Sequence, residues 1–204
     1  MENLNLEHAT ILFNPQYING TESEKILNSI SDLFRNESRK KVLDKHNFEY
    51  TLKRKTMVFI DKDIDKNIIP KIWGDNVKIM DFTPELLNIK YKLETELNFK
   101  FNICLANYYN TGKNSIGWHS DNEEKGSTSC IASLSFGSER LFSFREKNSK
   151  DISLSLKLNN GSLLVMGVGC QENYEHSLLN DKTCHEPRLN LTFRLFNGER
   201  YSSH

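Results

Sequence analysis

The chain has 204 residues, a length that is typical of one domain and sufficient to bury a sizeable core. Its 27 basic residues balance 27 acidic residues, so global charge gives no reason to expect a nucleic-acid partner, and any basic binding surface must be local. The four cysteines are scattered without a C-x-x-C pair, which argues against a thiolate zinc site and against a disulfide framework.

The amino terminus has no basic region followed by an apolar run. No apolar stretch reaches the roughly 18 residues that a membrane-spanning helix requires. Both absences argue against secretion and membrane insertion. We therefore expect a soluble intracellular protein, cytoplasmic or nuclear, with reduced thiols and no membrane contact.

Two helices are predicted in the first half of the chain. The segment T-E-S-E, which starts at Thr21, has the form of a capping box, and apolar residues then recur at helical spacing. This pattern predicts a helix over about 21–36. Thr83 before Pro84 is a second start signal, and the apolar stripe that follows predicts a helix that ends near Asn98 and covers a sheet.

From about residue 101 the apolar period changes to two, which predicts strands, so helices lead and strands follow. The predicted strand segments are F-N-I-C-L-A-N-Y-Y, C-I-A-S-L-S-F, R-L-F-S-F-R-E, I-S-L-S-L-K-L, G-S-L-L-V-M-G and R-L-N-L-T-F-R-L-F. Asn160-Gly161 suits a tight hairpin turn and favours antiparallel pairing of the strands on either side.

The simplest architecture is α+β and mainly β. It is a double-sheet jelly roll or barrel, with helices packed on the outside and an interior wide enough for a small ligand. Two segments have weak patterns, about 38–82 and 111–129, and these are the candidate substrate loops.

His119 and Asp121 are candidate metal ligands, because residues two positions apart in an extended segment point the same way. His176 would complete a set of two histidines and one carboxylate, the facial triad that leaves positions on Fe(II) open for a co-substrate and dioxygen. The alternative is that both histidines are structural and that Asp121 is an ordinary turn carboxylate.

The last predicted strand has one polar face and one apolar face. Its polar residues are Arg188, Asn190, Thr192 and Arg194, and its apolar residues are Leu189, Leu191, Phe193 and Leu195. If the apolar face fills the core, two guanidinium groups point into the barrel, where a buried charge requires a partner. A dicarboxylate co-substrate would supply that partner through paired hydrogen bonds. The alternative is a solvated sheet face.

Taken together, these residues resemble the pattern of the AlkB dioxygenase family. The resemblance rests on H-S-D at 119–121, on His176 and on R-L-N-L-T-F-R at 188–194. It extends through N-Y-Y at 107–109, G-W-H-S-D-N-E at 117–123, I-A-S-L-S-F-G at 131–137, F-S-F-R at 142–145 and N-G-S-L-L-V-M at 160–166, and it covers about half of the chain.

The resemblance implies a double-stranded β-helix in a single domain over 1–204. Residues of about 1–100 would form amino-terminal helices and a substrate-recognition lid, and about 101–196 the catalytic core. Fe(II) would be bound by His119, Asp121 and His176. The residues that would contact 2-oxoglutarate are Asn107, Tyr109, Arg188, Asn190 and Arg194. We assign Arg188 with Tyr109 to the distal carboxylate, and Arg194 with Asn107 to the end that chelates iron.

The implied reaction is oxidative dealkylation with O2 as co-substrate: 2-oxoglutarate becomes succinate, and the hydroxylated N-alkyl group leaves as an aldehyde. Expected substrates are 1-methyladenine and 3-methylcytosine in DNA or RNA, preferably single-stranded, which amounts to direct reversal of alkylation damage by a monomer. A base in a duplex cannot reach the metal, so the target is flipped out and stacked between an aromatic ring and His119.

Substrate contacts are expected from several residues outside the metal and co-substrate sets. Trp73 is the candidate stacking ring, with a core tryptophan as the alternative, and Trp118 is expected to support the site. Asn122 and Glu123 lie where relatives place polar groups near the base, or else in a solvated turn. The chain departs from the family pattern at Asn122, where several relatives have a second acid, and at Tyr174, where others have tryptophan.

The segment K-R-K-T-M-V-F at 53–59 looks like the lid of the family. Lys53, Arg54 and Lys55 would then contact phosphates, or else form a solvated turn. Two rival functions stay open. One is a same-fold hydroxylase that acts on a protein or a small metabolite, and the other is a β-barrel module that binds a carbohydrate or an anion without iron.

Overall fold

The computed structural model describes residues 1–43, 46–70, 77–121 and 128–196. The strands are β1 (Glu2–Leu6), β2 (Ala9–Asn14), β3 (Lys41–Leu43), β4 (Glu49–Thr51), β5 (Lys55–Ile60), β6 (Lys78–Asp81), β7 (Ile103–Tyr109), β8 (Ile116–His119), β9 (Ile131–Gly137), β10 (Arg140–Glu146), β11 (Leu154–Leu158), β12 (Ser162–Met166), β13 (Tyr174–Leu178) and β14 (Arg188–Arg194). The helices are α1 (Gly20–Leu33), α2 (Pro84–Leu97) and the short α3 (Cys170–Asn173).

Two sheets face each other. The larger has eight strands in the order β1-β2-β12-β9-β14-β7-β5-β6, and the smaller has four in the order β11-β10-β13-β8. Among the described strand pairs of both sheets, only β5 with β6 is parallel. Strands β3 and β4 form a separate hairpin. Two facing, mainly antiparallel sheets with helices outside are a jelly roll, or double-stranded β-helix, which confirms the predicted fold class.

Alternation along the strands creates two main apolar cores. Leu189, Leu191 and Phe193 of β14 belong to the core between the larger sheet and helices α1 and α2. Leu164 of β12 and Phe144 of β10 belong to the core between the two sheets. Because successive side chains point to opposite faces, the polar residues of β14 must face the space between the sheets.

Helix α2 confirms its predicted boundaries. The Thr83 hydroxyl accepts a hydrogen bond from the backbone N–H of Leu86, and Pro84 is the first helical residue, where the missing N–H costs nothing. The helix ends at Asn98 in the left-handed conformation, with φ of 47°. None of the helices in the described ranges is long and apolar enough to cross a membrane.

Helix α1 starts two residues earlier than the predicted cap at Thr21. Its cap is Asn19, whose side-chain oxygen accepts a hydrogen bond from the Glu22 backbone N–H at 2.9 Å. Asn19 and Glu22 have the same spacing as the box that begins at Thr21, and asparagine caps helices at least as well as threonine. The prediction of a helix with a capping residue here was therefore confirmed, but the predicted position of the cap was two residues too late. The helix ends at Leu33.

The amino-terminal half also contributes four strands to the larger sheet. Strands β1 and β2 extend one edge beside β12, and β5 and β6 extend the other beside β7. The expectation that helices lead and strands follow was therefore wrong, and residues 1–100 are more than helices and a lid. Strand β5 was missed because most of its residues are buried, so its sequence is a continuous apolar run without alternation.

The Asn160-Gly161 turn connects the two sheets instead of closing a hairpin. Strand β11 pairs with β10 in the smaller sheet, whereas β12 pairs with β9 and β2 in the larger one. The predicted pairing of these two strands was therefore wrong. Gly161 does have a positive φ of 80°, and a Cβ there would lie 2.1 Å from the Ile18 carbonyl oxygen, so this position requires glycine.

Candidate metal and co-substrate site

Two neighbouring strands of the smaller sheet bring two histidines together. His119 ends β8 and His176 lies within β13, and the two residues are paired across the strands. Their imidazole centroids are 4.3 Å apart. Asp121 is the second residue after the end of β8, and its Oδ1 lies 3.6 Å from Nε2 of His119. One ligand atom from each of the three residues lies within 4.8 Å of the others, so together they can hold one metal ion.

Burial and nearby charges set the protonation of these ligands. His176 is 4% exposed, and burial lowers its pKa to about 3, so its ring is neutral at neutral pH. Burial alone would raise the pKa of Asp121, but the nearby Arg194 guanidinium, with smaller contributions from both histidines, holds that pKa below its usual value. The site therefore offers a neutral imidazole and a carboxylate, the forms that bind metals.

Neighbouring groups orient both imidazole rings. Nδ1 of His119 lies 2.8 Å from the Gly117 carbonyl oxygen. A proton on that nitrogen leaves Nε2 free to bind a metal. The Phe142 ring stacks on His176 with centroids 5.3 Å apart. Nδ1 of His176 is buried and has no hydrogen-bond partner among the described residues. This is expected of an imidazole that is available to a ligand.

Strand β14 carries the predicted polar face into the space between the sheets. The Arg194 guanidinium lies 3.0 Å from Oδ2 of Asp121, beside the candidate metal ligands. At the other end of the strand, Arg188 donates to the Ser135 hydroxyl at 2.9 Å and lies 5.3 Å from the Tyr109 ring centroid. All seven residues of β14 are buried, so the alternative of a solvated sheet face was wrong.

Arg188 is a buried cation without a carboxylate partner among the described residues. Its Nε makes no hydrogen bond to any residue of the described ranges. Burial, and to a smaller degree the neighbouring Arg140 guanidinium, lower the pKa of Arg188 to about 10, which still leaves it charged at neutral pH. A buried charge in this state is costly, so this space favours a carboxylate ligand that accepts two parallel hydrogen bonds.

The other predicted co-substrate residues lie next to these arginines. Strand β7 pairs with β14 so that Asn107 faces Asn190 and Tyr109 faces Arg188. The side-chain oxygen of Asn107 accepts a hydrogen bond from Nε of Arg54 at 2.7 Å. The Asn190 amide donates two hydrogen bonds of 2.9 Å to oxygens of β9, so its NH2 group holds the sheet together.

The structure separates the three cations that the sequence placed in one lid. Lys55 donates from Nζ to the Phe34 carbonyl oxygen at 3.0 Å, just beyond the end of α1, where a cation stabilises the helix. Arg54 points inward to Asn107. Lys53 is exposed. Lys55 is therefore apart from Lys53 and Arg54, which line one cleft.

A cleft of about 370 Å³ lies between the β4–β5 connection and the start of β8. Lys53 and Arg54 line it, and no carboxylate belongs to its lining within the part of the chain that the structure describes. Tyr50, which is about half exposed, lies on the same wall. Two residues of its lining also contact the candidate site. Arg54 donates to Asn107, and the Gly117 carbonyl oxygen lies close to Nδ1 of His119, so the cleft adjoins the site.

Trp118 lies beside the Arg145 guanidinium at 4.4 Å from its ring centroid, and Arg145 donates two hydrogen bonds to Glu175. This contact joins β8 to β10 and β13 next to both histidines. Trp73, Asn122 and Glu123, which the sequence suggested as substrate contacts, lie outside the described residues.

Sequence reasoning missed two buried polar residues at the site. Arg140 is 2% exposed and donates to the carbonyl oxygens of Gly112, Asn114 and Leu179, which holds the two loops beside the cleft. Gln171 is 5% exposed and accepts a hydrogen bond from the backbone of Asp121. A single sequence contains no signal for either, because neither belongs to a recognisable motif.

Comparison with known proteins identifies the family. The family model of the 2OG-Fe(II) oxygenase superfamily matches residues 15–194. The alpha-ketoglutarate-dependent dioxygenase alkB homolog 3 of Bos taurus is 37% identical over 120 residues, 54% of this chain and 42% of that protein. The DNA oxidative demethylase ALKBH2 of Homo sapiens is 44% identical over 102 residues, 46% of this chain and 39% of that protein. The match spans about two-fifths of each relative.

A solved structure described as that of OsALKBH1 has the same fold, with a TM-score of 0.64 and 18% identity, and the match covers 91% of this chain and 97% of that one. The donor set fits the group that the family name implies: two imidazoles and a carboxylate suit Fe(II), and the Arg188 Nε, which has no partner within the described ranges, suits a carboxylate co-substrate. The chain belongs to the 2OG-Fe(II) oxygenase superfamily and is of the AlkB type, with Fe(II) and 2-oxoglutarate as cofactors and O2 as co-substrate.

Proposed function

We propose that this chain is an oxidative demethylase of alkylated nucleic-acid bases, such as 1-methyladenine and 3-methylcytosine in DNA or RNA, and that it reverses alkylation damage directly. One observation carries the proposal: the His119, Asp121 and His176 cluster shares a buried space with Arg188 and Arg194, and a cleft lined by two cations adjoins it. The relatives named alkB homolog 3 and DNA oxidative demethylase support this choice of substrate.

Each side chain has a role in this proposal. His119, Asp121 and His176 hold Fe(II). Arg188 with Tyr109 binds the distal carboxylate of 2-oxoglutarate. Arg194, with Asn107 and Asn190, binds the end next to the metal. The contact between Arg194 and Asp121 supports this division, because it puts one guanidinium beside the metal ligands and leaves Arg188 at the far end of β14.

When bound, Fe(II) and 2-oxoglutarate supply the oxidising chemistry, in which one oxygen atom of O2 enters succinate, formed with CO2, and the other enters a C–H bond of the N-alkyl group. The hydroxylated group then leaves as an aldehyde, which is formaldehyde for a methyl group, and the base regains its ordinary form. The chain contributes orientation and water exclusion: Arg188 and Arg194 fix the co-substrate, and Phe142 and Phe144 close the site behind His176.

The target base is flipped out of its strand and lies against His119. The His119 side chain is 31% exposed, whereas His176 is buried, so it is the ligand on the open side of the site. Trp73 is the proposed stacking ring, and Asn122 and Glu123 are the proposed polar contacts near the base.

We propose a single strand as the preferred substrate of a monomeric enzyme. A cleft of about 370 Å³ with two cations suits one backbone, whereas a duplex would bring a second row of phosphates. Comparing single-stranded with duplex oligonucleotides of the same sequence tests this choice.

The function is tested by mass analysis of oligonucleotides that bear 1-methyladenine or 3-methylcytosine, incubated with the protein, Fe(II) and 2-oxoglutarate. We expect loss of one methyl group per lesion, with formaldehyde and succinate produced in equal amounts. Turnover of 2-oxoglutarate without demethylation of any oligonucleotide would instead favour a hydroxylase of a protein or a small metabolite. Failure to bind Fe(II) and to turn over 2-oxoglutarate would favour a non-enzymatic binding module.

Reversing the charge of Lys53 tests the cleft. Lys53→Glu should weaken binding of all methylated oligonucleotides alike and reduce the salt dependence of binding by about one phosphate contact. The matched control is Lys157→Glu on β11, an exposed lysine at the edge of the smaller sheet opposite β8. Both variants should decarboxylate 2-oxoglutarate normally without nucleic acid. Equal affinity and salt slope in the two variants would remove Lys53 from the substrate path.

A further inference from the structure

The backbone of Asp121 is fixed by a side chain from a distant part of the chain. The Asp121 N–H donates to Oε1 of Gln171 at 2.8 Å. Gln171 lies in the short helix α3, three residues before the start of β13, the strand that carries His176. Its side chain is 5% exposed, so water does not compete effectively for this hydrogen bond.

The neighbours of the Gln171 amide fix which end faces Asp121. Its nitrogen lies 3.6 Å from the Met166 sulfur and 3.8 Å from the Cys170 sulfur. Sulfur is a weak acceptor, so it suits the NH2 end, and the backbone N–H of Asp121 needs the oxygen end. The opposite orientation would bring two donors together at Asp121.

Helix α3 is held in place on its other side by the turn between β1 and β2. The Asn173 amide donates to the His8 carbonyl oxygen at 3.2 Å, and the Tyr174 hydroxyl donates to the Glu7 carbonyl oxygen at 2.9 Å. Gly169, just before α3, has φ of 83°, and a Cβ there would lie 1.8 Å from the same His8 oxygen. Gln171 is therefore part of a rigid segment that also carries His176.

We propose that Gln171 is a positioning residue of the metal site: it fixes the Asp121 backbone, so that the Asp121 carboxylate and His176 are held in register by one segment. Asp121 lies outside the regular strand β8, so a strand ladder does not hold it. The neighbouring Ser120 hydroxyl donates to the Tyr174 carbonyl oxygen at 2.7 Å, a second connection between the same two segments. The inference rests on the metal site of the proposed function.

The test is a titration of the purified protein with Co(II) alone, followed by the visible absorption of the bound ion, which reports both affinity and the set of coordinating atoms. Gln171→Met keeps the length of the side chain and removes the oxygen acceptor. We expect the Co(II) dissociation constant of this variant to rise about 10- to 100-fold and its absorption bands to shift, the range typical of residues that orient metal ligands.

The matched control is Asn159→Ala, which removes an amide that donates to the Pro15 carbonyl oxygen, outside α3 and outside the contacts that hold α3 in place. It should lower the melting temperature of the metal-free protein and leave the Co(II) affinity and bands close to those of the wild type. Wild-type affinity and bands in Gln171→Met, or an equal loss in both variants, would overturn the positioning role. Absence of Co(II) binding by the wild type would instead reject the metal site of the proposed function, and with it this inference.

Discussion

Replacing Asp121 with Ala is expected to abolish 2-oxoglutarate turnover. The substitution removes the only carboxylate of the His119, Asp121 and His176 cluster and leaves two imidazoles, which cannot hold Fe(II) in a facial arrangement. It also removes the 3.0 Å ion pair with Arg194, so the guanidinium loses the contact that fixes it beside the metal. Succinate formation in the presence of Fe(II) and O2 measures the effect.

A second variant distinguishes ligand loss from loss of the fold. Asp121→Asn keeps the shape and the backbone N–H that donates to Gln171, but it replaces the carboxylate with a neutral amide, a weaker ligand. Its circular dichroism spectrum should match that of the wild type, and its turnover should fall with its metal affinity. A folded Asp121→Ala protein with wild-type succinate formation would show that Asp121 is not a metal ligand.

The two faces of β14 could be predicted from sequence because the local pattern is sufficient by itself. In R-L-N-L-T-F-R a period of two assigns Leu189, Leu191 and Phe193 to one face, and these residues do pack against the helices. Two arginines on the opposite face then require an anionic partner if they are buried. Both steps use local spacing, so no knowledge of strand order was needed.

The cluster of His119, Asp121 and His176 could be predicted only in part. H-x-D predicts two ligands on one side of an extended segment, but His176 joins them only because β13 pairs with β8, and long-range pairing is not written in any local pattern. The same limit explains the Asn160-Gly161 turn, where the residues that tolerate positive φ were recognised but the flanking strands belong to different sheets. Gln171 could not be predicted for the same reason, because its contact with Asp121 joins residues that are far apart in sequence.

The contacts of the basic segment at 53–55 could not be predicted from sequence, because the fold gives its three side chains different partners. Lys53, Arg54 and Lys55 look like one basic cluster, yet Lys55 binds the end of α1 and Arg54 reaches Asn107. Strand formation from Lys55 onward decides this, since β5 is inserted beside β7 in the larger sheet. The sequence shows three adjacent positive charges, but in the structure Lys53 is the one of the three that is exposed, and Arg54 and Lys55 are partly buried.

Arg188→Lys is expected to raise the Michaelis constant for 2-oxoglutarate about 10- to 100-fold. Lysine keeps the positive charge but cannot reproduce two parallel hydrogen bonds to a carboxylate, and losing one such bond costs about 1.5–3 kcal/mol. The effect should be large because Arg188 is fully buried on a strand held on both sides by β7 and β9, so the backbone cannot shift to compensate. Initial rates of succinate formation at varied 2-oxoglutarate give the constant.

The control is Arg145→Lys, the same exchange at an arginine paired with Glu175 and packed on Trp118 rather than facing the inner space. It should leave the Michaelis constant unchanged.

Inhibition by oxalate tests the assignment of Arg188 to the distal carboxylate. Oxalate, which can chelate the metal but has no distal carboxylate, should inhibit wild type and Arg188→Lys equally, whereas Arg194→Lys should weaken oxalate as well as 2-oxoglutarate, because Arg194 lies beside Asp121. If oxalate inhibition is weaker in Arg188→Lys and unchanged in Arg194→Lys, the two roles are reversed. If the Michaelis constant for 2-oxoglutarate is unchanged in both variants, the co-substrate binds elsewhere.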